Sequence, residues 1–153
     1  MRIAITKPLF AWDALEDSPS LQSLRVLLES VPDHELLESL RAARGKGRDD
    51  YPVEVLWGTL ILAIALRHVS IDACLEELRR NPALRLLLGI EEEDRVPGPD
   101  NMSRFLATLG QEPHLMHLRQ IFDTQVGRLG AVIGDFGKDT AGDSTGLAGR
   151  CPT

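Results

Sequence analysis

The sequence predicts a mainly α fold, a multi-helix bundle followed by a short C-terminal β segment, and three observations carry that prediction. Apolar residues recur at steps of three and four along most of the chain, as in Leu21, Leu24, Leu27 and Leu28, which places them on one face of a helix. Cap-then-proline pairs open segments at Ser18-Pro19 and Asn81-Pro82, and glycines close them at Gly45, Gly89 and Gly130. One segment, Val53 to Arg67, is apolar nearly all round, which is the pattern of a helix in the middle of a bundle.

Composition narrows the function classes. The 153 residues suffice for one domain with a real core, and an apolar fraction of 43% with 26% charged residues is that of a soluble globular protein. A net charge of −6 argues against a protein that coats nucleic acid non-specifically, while a local basic site stays open because binding depends on where Lys and Arg sit. Cys74 and Cys151 are too few and too far apart for a zinc knuckle or a disulfide framework. Both read as free thiols in a reducing cytoplasm. The N-terminus lacks the apolar core of a signal peptide, and the longest uncharged run, Val55 to Leu66, is about half of a bilayer crossing. No membrane partner is expected.

In chain order, residues Met1 to Asp17 carry Leu9, Phe10, Trp12 and Leu15 without a clean period and read as an irregular arm packing its aromatics on the body. Pro19 then starts a helix. Pro32-Asp33 restarts the pattern, and Leu36, Leu37 and Leu40 form a second stripe ending at Gly45. Asp49-Asp50-Tyr51-Pro52 opens the apolar helix, in which Trp57 reads as core. His68 lacks a second ligand at metal spacing and reads as a surface or capping group. Ser70 caps a helix with Ile71, Cys74, Leu75 and Leu78 in line, and Asn81-Pro82 starts a short one through Leu84, Leu87 and Leu88. The acid run Glu91-Glu92-Glu93-Asp94 reads as a solvated loop. After the turn at Val96-Pro97-Gly98-Pro99, a helix buries Met102, Phe105, Leu106 and Leu109. Pro113 opens the last helix, with Leu115, Leu118, Phe122, Val126 and Leu129 in a stripe ending at Gly130. From there Ala131-Val132-Ile133 and Thr140-Ala141 read as strand segments.

Two groups of polar residues are candidates for contact with nucleic acid. Arg41, Arg44, Lys46 and Arg48 gather around two glycines with no acid between them. They fit either a solvated helix end, where cations interact well with the last carbonyls, or a loop that contacts phosphates. The second group, Arg104 with Asn101 and Thr108, lies on the face opposite the buried residues of its helix and could reach phosphates or base edges. A helix-turn-helix and an ordinary helical domain both offer that arrangement. Near the C-terminus, Asp143-Ser144-Thr145-Gly146 consists of turn-building residues; a carboxylate placed where a strand gives way to a turn is also a usual holder of a metal ion.

Five motifs in register extend this reading. Phe10-Ala11-Trp12-Asp13-Ala14-Leu15, Gly47-Arg48-Asp49-Asp50-Tyr51-Pro52-Val53, Leu78-Arg79-Arg80-Asn81-Pro82-Ala83-Leu84-Arg85, Met102-Ser103-Arg104-Phe105 and Ala141-Gly142-Asp143-Ser144-Thr145 occur in that order. Together they resemble the N-terminal part of bacterial insertion-sequence transposases of the DDE type, the group named for insertion sequence five and its relatives. The resemblance implies a helical N-terminal domain over residues 1–130 and the opening of an RNase H-like catalytic core over residues 131–153. It makes Asp143 the first catalytic and metal-holding acid of a set that shares two Mg²⁺ ions with an Asp and a Glu far downstream. Two divalent ions on oxygen ligands activate the attacking oxygen and stabilise the leaving one in phosphodiester cleavage.

The resemblance also implies DNA, as transposon terminal inverted repeats, for a partner, with itself or full-length transposase as a protein partner. The competing reading is a helical protein-interaction module that binds no DNA. Because the downstream Asp and Glu do not occur within the 153 residues, the polypeptide is expected to bind no Mg²⁺ of its own and to cut no DNA. A labelled duplex incubated with purified chain and Mg²⁺ should remain intact, and nicking above background would contradict the expectation.

Overall fold

In the computed structural model, residues 19–45 and 51–133 are described, and they form seven α-helices with one 3₁₀ turn and no strand. The helices are α1 (Pro19–Ser30), α2 (His34–Arg44), α3 (Val53–Ala65), α4 (Ile71–Arg80), α5 (Pro82–Leu87), α6 (Pro99–Leu109) and α7 (His114–Val132). The 3₁₀ turn, Glu93–Arg95, lies between α5 and α6. The N-terminal arm and residues 134–153, including Thr140, Ala141 and Asp143, lie outside the described residues.

Helix α3 is the hub. Its buried residues run Val53, Val55, Leu56, Trp57, Gly58, Thr59, Leu62 and Ala63, and it packs against α1, α2 and α4. Two polar groups enter this core with partners. The Trp57 indole donates to the Asp33 carboxylate at 2.7 Å, with both residues buried. The hydroxyl of Thr59, fully buried, donates to the Val55 carbonyl one turn back at 2.8 Å. A buried carboxylate without such a donor would bear the full cost of its lost water.

Around α2, α4 and α5 the local signals that delimit the helices act as expected. The Ser70 hydroxyl accepts from the Ala73 amide at 3.1 Å, and the Asn81 side chain accepts from Ala83 at 3.1 Å and Leu84 at 3.4 Å, so α4 and α5 each begin on a side-chain cap. Arg85 reaches back from α5 to the Leu78 and Arg79 carbonyls, at 3.1 and 2.6 Å, and so closes the end of α4. After α2 and α5 the chain turns at Gly45 and Gly89, with φ of 63° and 70°, a conformation that costs a residue with a Cβ more than glycine.

Four expectations need correction. Helix α3 stops at Ala65, and its last turn leaves the core: Ile64 is 70% exposed and Val69 beyond it 97%. The chain breaks direction at Arg67, whose φ is 55°, and the His68 amide bonds back to Ala63. In α6, Met102, Phe105 and Leu109 are buried but Leu106 sits at the margin. In α7 the apolar stripe and the docked face differ. The helix meets α2 and α6; His114 is buried and Leu118 and Ile121 pack on the core, all three in its first half, while Phe122 is 67% exposed. Finally, α7 does not end at Gly130. Ala131 and Val132 are helical and the Ile133 amide still donates to Leu129 at 2.8 Å, so the strand expected to begin at Ala131 does not begin there. No neighbouring strand competes for these amides among the described residues, and the helix simply propagates.

Two predictions follow from the core. Replacing Trp57 by Phe keeps a six-membered ring but removes the indole donor to Asp33, and should lower urea-unfolding stability by ~1–3 kcal/mol; a loss of only a few tenths would remove the bond from the structural account. Burial, with a smaller push from Glu77, raises the Cys74 thiol to about 11 from 9.0. The unfolded thiol ionises first as pH rises, so this contribution to stability is whole below 9.0 and is lost as pH climbs towards 11. Melting temperature should therefore fall over that window more steeply in the parent than in Cys74→Ala.

Candidate functional site

One cavity brings the two polar groups singled out in the sequence to the same place. It has a volume of about 460 Å³ and lies between the end of α2, the start of α3 and one face of α6. Helix α2 contributes Leu40, Ala43 and Arg44; Tyr51 leads into α3, which adds Val53 and Leu56. The α6 wall consists of Asn101, Arg104, Phe105 and Thr108, at the i, i+3, i+4 and i+7 spacing that places four side chains along one helix face.

The backbone around the site is fixed by short-range chemistry. Arg44 donates from its guanidinium to the Tyr51 carbonyl, which joins the end of α2 to the entry of α3. On α6, Arg104 Nε donates to the Asp100 carbonyl at 3.3 Å and the Thr108 hydroxyl to the Arg104 carbonyl at 3.0 Å. Gly98 stands just before α6, where a Cβ would come within 3.3 Å of Asn101 Oδ1. A side chain there would press on the Asn101 amide.

The sequence candidates divide accordingly. Arg44, Asn101, Arg104 and Thr108 line the cavity together. Arg41 does not line it: its guanidinium is paired with Glu54 through two nitrogens, Nε at 2.7 Å, so the acid-free look of the basic segment was an effect of sequence distance. Lys46, Arg48 and Asp143 lie outside the described residues. Sequence reasoning missed the apolar part of the site. Tyr51 reads only as part of the segment that opens α3, and Leu56 and Phe105 read as core with Phe105 opposite Arg104, yet at a crossing between helices one turn of α6 presents Phe105 and Arg104 to the same space. The signal that could have found them is the spacing of Asn101, Arg104 and Thr108, with Phe105 inside it.

The chemistry is that of a binding site. Buried Leu40, Leu56 and Phe105 form its base, and the polar groups are half-buried or exposed around them. Among the described residues no group of three or more His, Cys, Asp or Glu side chains could hold a metal ion. Among them also, no helix is long and apolar enough to cross a membrane.

A family model described as transposase domain (DUF772) matches residues 12–108. No curated protein and no solved structure matches the chain. Every residue lining the cavity falls inside the matched span, whereas α7 and Asp143 fall outside it. The match covers more than half of the sequence, and the chain belongs to the transposase-domain family DUF772.

Proposed function

We propose that this chain serves DNA transposition as the part of a DDE transposase that binds transposon-end DNA and supports assembly. The observation that carries the reading is the convergence of Arg44 from α2 with Asn101, Arg104 and Thr108 from α6 on one cavity, inside the span that matches the transposase family. A guanidinium for phosphate beside an amide and a hydroxyl for base edges is a chemistry suited to DNA. The acidic remainder of the molecule would repel DNA from other surfaces and so confine binding to this face. Strand cleavage belongs in this reading to Asp143 and to further acids of the family set, with Mg²⁺ as the cofactor; the helical body takes the binding role.

A second reading, a helical interaction module that pairs with another transposase chain, is favoured by one observation. From its middle onwards α7 presents Phe122, Leu129 and Val132 to solvent, at 67, 47 and 84% exposure, and Ile133 just past its end is 48% exposed. Sedimentation with and without DNA separates the readings, since the module would self-associate and leave DNA in the slow fraction.

On the DNA reading, affinity for the element's ends falls as salt rises, and Arg104→Gln weakens it and lowers the salt slope by roughly one. Arg44→Ala and Arg48→Ala weaken it too. Retardation of end DNA and unrelated DNA to the same extent, unchanged by these substitutions, would exclude it. Glu54→Gln releases Arg41 from its pair at a stability cost below ~1 kcal/mol, and should tighten DNA binding severalfold in a fluorescence-anisotropy titration.

A further inference from the structure

The cavity has a lining that a phosphate-gripping surface does not need. Its buried part is apolar, with Leu56 and Phe105 at 7 and 6% exposure. Around that base stand polar groups with capacity to spare. Among the described residues the Asn101 amide has no hydrogen-bond partner and the terminal nitrogens of Arg104 meet no acid. The Thr108 hydroxyl commits its proton to a carbonyl but can still accept.

A phosphate resting on Leu56 and Phe105 would lose its water and find no partner there. A duplex is far too wide for about 460 Å³, a volume that instead falls in the ~300–1,000 Å³ range of small-ligand pockets. A nucleobase meets both halves of the lining. Its faces bury against Leu56 and Phe105, its hydrogen-bonding edge meets the Asn101 amide and the Thr108 hydroxyl, and its attached phosphate stays outside with Arg104. We infer that this cavity receives a single nucleobase turned out of the DNA helix, an inference that rests on the DNA-binding reading above. The charge balance points the same way. With Arg41 held by Glu54 and a net charge of −6, backbone contacts alone give a weak grip, and base burial adds affinity that salt does not screen.

Extrusion costs least for a base that is already unpaired, which supplies the test. The full chain is titrated by anisotropy against two labelled duplexes of the same sequence, one fully paired and one carrying a single extrahelical adenine. The extrahelical duplex should bind roughly tenfold more tightly, in keeping with the gain from one stacked base. Ala43→Phe fills the cavity from an exposed helix position and Asn101→Ala removes the edge contact; each should erase that margin while melting within a few degrees of the parent. Equal binding of the two duplexes by the parent overturns the base inference and leaves the DNA reading standing. Failure to bind either duplex overturns both. A margin that survives both substitutions puts the base elsewhere and overturns the inference.

Discussion

The hydrogen bond from Trp57 to Asp33 is the constraint on which the bundle depends. It joins the residue that begins α2 to the middle of α3, inside the core, at 2.7 Å. Apolar packing is non-directional and would let two helices slide by a fraction of a turn; a buried carboxylate that must meet one indole nitrogen would not. Fixing α2 against α3 also fixes the end of α2 relative to Tyr51, and the cavity opens at that junction. Core and site are thus set by the same register.

The fold was legible where one residue type performs one local task. Ser70 and Asn81 cap because their oxygens reach free amides within three residues, and Gly45 and Gly89 turn because they lack a Cβ. Those events need no tertiary information. The errors fell where the answer depends on how far a neighbour extends. Ile64 and Phe122 continue correct helical periods, but the surfaces they face have already ended. Periodicity tells which side of a helix is apolar; it does not tell how much of that side is covered.

The site was half legible for the same reason. Asn101, Arg104 and Thr108 could be gathered from one helix by counting, and Arg44 from its basic segment. That the two sets share a cavity is a long-range fact, 57 residues apart at the nearest, and no local spacing encodes it. The Arg41–Glu54 pair is the reverse case. A cluster that looked uniformly cationic along the chain is partly neutralised across it, so the local charge available to a phosphate is smaller than the sequence count.

Helix α6 has a property that bears on how such a chain can change over time. Met102 and Leu109 lie within the protein and hold the helix in place, whereas Asn101, Arg104 and Thr108 are accessible and sit out of phase with them. Substitution at the latter three leaves the packed residues untouched. Descendants could therefore acquire new target preferences at those positions with little penalty in foldedness, while drift at the former two would be removed by selection whatever DNA is bound.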